Sequence, residues 1–119
     1  MIYGIGIDIV DVDRFKGVIE RRGERFLKRV FTEGELDYCL AHRFPERHLA
    51  ARFAGKASVL KALGRRFGFK DVEVLRDGAG RPFLNISGAV HSGDGLRYSI
   101  SLSHNERFGM AETVVERVR

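Results

Sequence analysis

Cys39 is the only cysteine in the sequence, so no disulfide can form within the chain. No apolar run approaches the ~20 residues a membrane-spanning helix needs. The opening residues Met1-Ile2-Tyr3-Gly4-Ile5-Gly6 have no basic stretch and no cleavage motif, so they do not read as a secretory leader. We therefore expect a cytoplasmic protein with no membrane partner. Internal repeats and low-complexity linkers are also missing. So are a glycine-rich dinucleotide fingerprint, a P-loop, a serine nucleophile elbow and any zinc-spaced set of Cys and His.

What is present is ordinary globular composition. The chain has 119 residues, 44% hydrophobic and 31% charged. That length suits one domain, expected to span 1–119. Lysine and arginine number 21 against 16 acidic residues, a net charge of +5. Such a balance favours an acidic partner: nucleic acid, an anionic surface, a phosphorylated ligand or an acidic protein. Nucleic acid ranks lowest, because basic and aromatic residues form no common stripe.

Ile5, Ile7 and Ile9 alternate with Gly6 and Asp8, which predicts a strand with one apolar face. Its glycines permit close approach on the other face. Asp11 or Asp13 can cap a helix carrying Phe15, Val18 and Ile19 that stops near Gly23. The opposite face of that helix carries Arg14, Arg21, Arg22 and Arg25. Thr32 and Glu35 form a capping-box pattern that opens a short helix ending about Ala41. Pro45 introduces the strongest helical segment, about 46–67, with Leu49, Phe53, Leu60, Leu63 and Phe67 on one stripe. Strands are expected at 72–76 and 82–86 around an Asp77–Gly80 turn, and at 96–101 and 108–118 around a turn at 105–107. A short irregular or helical piece is expected at 88–91. The fold class is α+β, an antiparallel sheet packed with one long helix and shorter ones.

Asp8 lies beside a core strand, where a carboxylate must be solvated, paired or metal-bound. Lys56 falls within the apolar stripe of the long helix. It either snorkels to water or meets an anion. Lys61 lies next to the stripe and Arg52 adds a third cation. Cations converging on a strand-end aspartate suit a phosphate ligand with a divalent metal. His104 leaves a strand beside a turn, a position open to structural, phosphate-binding or proton-transfer roles. Cys39, beside Leu36 and Leu40, reads as core packing.

Four segments, in order, resemble the holo-acyl-carrier-protein synthase family, the small trimeric class of 4′-phosphopantetheinyl transferases. They are Gly4-Ile5-Gly6-Ile7-Asp8-Ile9-Val10, Phe31-Thr32-Glu33-Gly34-Glu35-Leu36, Arg52 through Gly64, and Ser101-Leu102-Ser103-His104. Gly80-Arg81-Pro82 looks like that family's Gly-Lys-Pro turn. The resemblance implies a 4′-phosphopantetheinyl transferase-like fold and a homotrimer with coenzyme A clefts between subunits. It implies transfer of phosphopantetheine from coenzyme A to a serine of acyl carrier protein in fatty acid biosynthesis, releasing adenosine 3′,5′-bisphosphate. On the same basis Asp8 binds magnesium, Lys56 and Lys61 neutralise phosphate, and Lys61 protonates the leaving group. Arg52 joins these cations, Gly64 admits the ligand to the helix end, and Pro82 lines the nucleotide site. His104 reaches the phosphates from an adjoining subunit. Arg14, Arg21, Arg25 and Lys28 match the surface that grips the acidic carrier.

One position departs from that pattern. The family reads Lys-Glu where this chain reads Lys56-Ala57. The missing glutamate serves the family as a metal ligand and as the candidate base for the carrier serine. Two expectations follow: a magnesium-dependent transferase slowed by Ala57, or an inactive relative that holds coenzyme A or a carrier.

Overall fold

The computed structural model describes residues 1–87 and 95–118. Its geometry is set by glycines that bring one helix onto one sheet. Strands β1 (Ile2–Asp11), β4 (Leu96–His104) and β5 (Phe108–Arg117) form an antiparallel sheet in the order β1-β5-β4. Helix α3 (Pro45–Leu63) lies across it. A Cβ added at Gly4 would fall 1.9 Å from Ala62 O, one at Gly6 1.9 Å from Ser58 O, and one at Gly109 2.6 Å from Ala51 N. Only glycine lets the two backbones meet here. The helix answers with small residues, Ala51, Gly55, Ser58 and Ala62, all buried. Ser58 Oγ donates to Gly55 O at 2.7 Å and is 2.7 Å from Thr113 Oγ1 of β5.

The close approach expected at the β1 glycines is therefore that of α3. The large apolar stripe expected on α3 is only part of its buried surface. Leu49 and Leu63 are buried, but Phe53 and Leu60 are half-buried and the sheet-facing side is small. The helix also ends at Leu63, short of Phe67. Gly64 takes the left-handed conformation (φ 71°) and its N–H donates back to Leu60 O. That is a glycine C-cap, which side-chain residues adopt only with strain.

Helix α1 (Val12–Val30) starts with Asp11 as its cap, Oδ1 accepting from Arg14 N at 3.0 Å. Its first helical piece stops at Gly23 as expected. Gly23 (φ 68°) kinks the chain, and helical structure resumes to Val30. Helix α2 (Glu33–Leu40) carries the expected capping box with Thr32 and Glu35. Phe15, Val30, Phe31, Cys39 and Leu49 form a core between α1, α2 and α3. Burial pushes the Cys39 thiol up to about 12, so it packs and does not react.

A 3-10 turn (Phe69–Asp71) leads into the hairpin of β2 (Val72–Arg76) and β3 (Pro82–Ile86). The strands match their expected positions, with β4 continuing to His104. The expected piece at 88–91 lies outside the described residues. The fold is α+β with antiparallel pairing in both sheets. No helix among the described residues is long and apolar enough to cross a membrane.

The sheet face away from α3 is bare. Ile5, Ile7 and Ile9 are 60%, 54% and 56% exposed, with Tyr3 and Met110 also exposed. Singly exposed apolar residues are ordinary, but alternate residues of one strand form a continuous patch.

Candidate active-site cleft

On α3, Phe53, Ala57 and Lys61 stand one turn apart along one edge. Two depressions open along that edge. One, of about 470 Å³, is lined by Phe53, Asp8, Arg14 and Arg21 among others. The other, of about 510 Å³, is lined by Leu60, Lys61, Gly64, Arg65, Arg66, Phe67 and Phe69. Lys61 links them. Its Nζ donates to Asp8 Oδ1 and to Ile7 O, both at 2.9 Å. Asp8 lines the first depression and Lys61 and Gly64 the second, and the Lys61–Asp8 pair joins the two. Ala57, one turn before Lys61 on the same edge of α3, has no carboxylate to offer.

Lys56 does not join this cleft, contrary to expectation. Its side chain has no exposure, and its ammonium meets Glu35 Oε1 at 2.7 Å, Phe69 O at 2.9 Å and Val72 O at 2.7 Å. An ammonium has three donors, and these three acceptors use them. Burial lowers the Lys56 pKa, while the neighbouring Glu35 charge acts the other way. Glu35 also accepts from Thr32 N and Val74 N, so the pair ties α2 and α3 to β2. The anion that Lys56 meets is thus a protein carboxylate.

A second basic group gathers at the N-terminal half of α3. Arg52 is buried, with its guanidinium carbon 4.2 Å from the centre of the Tyr38 ring. The ring of His48 lies 3.9 Å from that of His42 and 4.6 Å from that of His104. Arg76 also stands over Tyr38, at 5.8 Å. Pro82 is paired opposite Arg76 across the hairpin. Burial lowers His48 from 6.5 to about 4, assisted by His42, His104, Arg52 and Arg76. Burial likewise lowers His104, assisted by Arg76, Arg47, Arg52 and His42. Buried His48 Nδ1, Arg52 Nε and Arg76 Nε have no hydrogen-bond partner among the described residues. Unpartnered donors beside the Arg52 and Arg76 charges are groups that suit an anion. His104 and Pro82 were expected at the nucleotide, whereas Arg52 was expected to converge with Lys61 on Asp8 and instead stands in this second group. His42, Arg47, His48 and Arg76 were not expected here, although His48 and Arg52 stand at i,i+4.

These two groups do not share one cleft in the protomer. Asp8 is on β1 and His104 on β4, with β5 between them. Asp8 pairs with Ala111, and His104 with Gly109. Two strand spacings and two residues separate them, roughly 12 Å between backbones.

The 4′-phosphopantetheinyl transferase superfamily profile matches residues 4–111. The chain belongs to the 4′-phosphopantetheinyl transferase superfamily. It is 43% identical over 117 residues to the holo-[acyl-carrier-protein] synthase of Thermodesulfovibrio yellowstonii, covering 97% of this chain and 99% of that one. Among solved structures, the synthase of Neisseria meningitidis superposes with a TM-score of 0.89 at 32% identity, covering 98% and 99%. That of Bacillus anthracis, in complex with CoA (3′,5′-ADP), gives 0.82 at 30% identity, covering 97% and 96%.

The four residues expected to grip the carrier lie along α1. Arg14 and Arg21 line the depression that holds Asp8. Arg25 lies past the Gly23 kink, beside Arg22 and Arg29. Lys28 is drawn into a surface pair with Glu24 at 3.2 Å. Magnesium fits this transferase poorly as a resident ion. Among the described residues no three His, Cys, Asp or Glu side chains are grouped to hold a metal. Of the two expected ligand positions, 8 and 57, only Asp8 carries a carboxylate, which pairs with Lys61 at 2.9 Å, while Asp11 and Asp13 line the same depression.

Proposed function

We propose that this chain transfers 4′-phosphopantetheine from coenzyme A to a serine of apo-acyl carrier protein, as in fatty acid biosynthesis. The supporting observation is the pair of basic groups on opposite edges of one sheet. Each suits one phosphate-bearing part of coenzyme A. The Asp8–Lys61 edge would take the pyrophosphate, and the Arg52–His104 group would take the 3′-phosphate of a molecule shared with a neighbouring protomer. The serine oxygen attacks the phosphorus that bears pantetheine. The bond from that phosphorus to the bridging oxygen breaks, and adenosine 3′,5′-bisphosphate leaves. Lys61 faces the charge that develops on the leaving phosphate and can protonate it, and Asp8 fixes the lysine's position. The serine proton passes to solvent, since position 57 carries no base. No step is assigned to a metal.

Sharing requires an oligomer, and the bare Ile5–Ile7–Ile9 face supports one. Three protomers packing these faces together would bring each Asp8 edge to a neighbour's His104 group. Arg14, Arg21 and Arg25 would receive the acidic carrier beside the cleft. Both substrates are soluble, in keeping with a cytoplasmic reaction.

The test is mass spectrometry of apo-carrier incubated with coenzyme A and the chain. The carrier should gain the phosphopantetheine group. Reversing Arg14 and Arg21 to glutamate should weaken carrier binding and spare coenzyme A, with the loss shrinking at high salt. A carrier that stays unmodified at stoichiometric enzyme would overturn the reading in favour of a coenzyme A-binding relative.

A further inference from the structure

Of the three imidazoles gathered at the N-terminal half of α3, the superfamily resemblance accounts for His104 alone. We propose that His48 is a further specificity residue for coenzyme A: it takes up a proton when the 3′-phosphate binds beside it, and the charge so created helps the chain choose coenzyme A over an analogue without that phosphate. This rests on reading the Arg52–His104 group as the 3′-phosphate site.

His48 stands in the middle of the group. Its ring is 3.9 Å from that of His42, in the loop before α3, and 4.6 Å from that of His104, at the end of β4. Arg52 follows one turn later on α3, Arg76 faces it from β2, and the Tyr38 ring of α2 lies 5.9 Å away. The charges facing His48 are therefore all positive, or become so on protonation. Among the described residues, none of His42, His48, His104, Arg47, Arg52 and Arg76 pairs with a carboxylate. Burial and repulsion together keep the His48 ring neutral in the free chain, well below its ordinary value. A phosphate brings negative charge into this group. It offsets the repulsion, and the protonated ring becomes the favoured form.

Hydrogen bonding points the same way. His42 Nδ1 lies 2.7 Å from Tyr38 O, a carbonyl that can only accept, so this nitrogen carries the hydrogen. The neutral His42 ring thus keeps a lone pair at Nε2, which an anion repels. Neutral His48 likewise has one donor and one lone pair, whereas the charged ring has two donors. Its Nδ1 is buried without a partner, as are Arg76 Nε and Nε of Arg52, a residue only 1% exposed. Phosphate oxygens are acceptors, and a buried donor left unmet costs free energy that such an acceptor recovers. His48 has an imidazole on either side of it, so it is the ring most relieved when an anion arrives.

The experiment is calorimetric titration of the whole chain with coenzyme A and with dephospho-coenzyme A, which lacks the 3′-phosphate. Two buffers of different ionisation enthalpy, both at about pH 6, count the protons taken up. The comparison chains are His48→Phe, which keeps a ring, and His48→Gln, which keeps a polar group; neither can take a proton. The parent should take up roughly half to one proton more per coenzyme A than either variant. The phosphate's own titration is common to all three chains and cancels in that difference. Both variants should weaken coenzyme A on the order of tenfold and leave dephospho-coenzyme A unchanged. Equal proton uptake by parent and variants overturns the proposal. So does an excess that persists with dephospho-coenzyme A. A parent chain that binds coenzyme A and dephospho-coenzyme A equally tightly would instead overturn the reading of the Arg52–His104 group as the 3′-phosphate site.

Discussion

Glu35 Oε1 and Lys56 Nζ lie 2.7 Å apart, and neither side chain is exposed to solvent. The exposed Lys28–Glu24 pair can be lost with little effect, because water solvates each partner. Removing Lys56 leaves Glu35 buried without its counter-charge, and leaves Phe69 O and Val72 O without their donor. Lys56→Met should therefore lower stability by about 3–5 kcal/mol. Urea unfolding measures it, and Lys28→Met is the control. Coenzyme A affinity should be kept in the folded fraction. A variant as stable as the parent but unable to bind coenzyme A would restore Lys56 to the phosphate site.

The same pair shows where the sequence was legible and where it was not. Lys56 on an apolar stripe signalled a buried or snorkelling cation, and the need for an anion was readable. The anion itself was not. Glu35 already had a local role in the capping box, and nothing in linear spacing shows one carboxylate serving a cap, a strand N–H and a distant lysine. Local signals such as the Thr32 box, the Asp77–Gly80 turn and the β1 alternation were readable because neighbours in sequence decide them. The small face of α3 was missed because alanine and glycine look like background until glycines on a strand are set against them. The His42–His48–His104 cluster joins a loop, a helix and a strand end, so only the fold could assemble it.

That cluster sets a pH dependence. His48 is lowered from 6.5 to about 4, first by burial and then by His42, His104, Arg52 and Arg76. An unfolded histidine takes a proton near its ordinary value, while the folded one resists until far lower pH. The unfolded state therefore binds more protons between these values, and stability falls as pH drops from about 6.5 to about 4. His104, also lowered, adds in the same direction. Urea midpoints should decline over this window, and His48→Phe should flatten the decline. An unchanged slope in that variant would assign the effect to other groups.

The bare isoleucine face predicts assembly. Light scattering at micromolar concentration should report about three times the 13.5 kDa protomer mass. Ile7→Glu puts a charge in the middle of the proposed contact, where burial without a partner is costly. It should shift the population to monomer and abolish the shared site. A parent chain that is strictly monomeric with coenzyme A bound would remove the trimer, and with it the pairing of the two basic groups.

The last prediction concerns Ala57, between Phe53 and Lys61 on the cleft edge. A glutamate there would stand one turn from Lys61, close to where the carrier serine must approach the pyrophosphate. It would supply the base that the present chain lacks. General-base assistance is worth about 10²–10⁴-fold, so Ala57→Glu should raise turnover by roughly that factor. The gain should appear mainly in kcat, because a carboxylate at position 57 acts on the serine proton rather than on substrate binding. Asp8→Ala should lower the activity of both forms, since it releases Lys61 from its position. Single-turnover transfer to apo-carrier at saturating coenzyme A measures each variant. Equal rates for parent and Ala57→Glu would mean that another group takes the serine proton, and Asp8 would be the first to test by its effect on the pH profile.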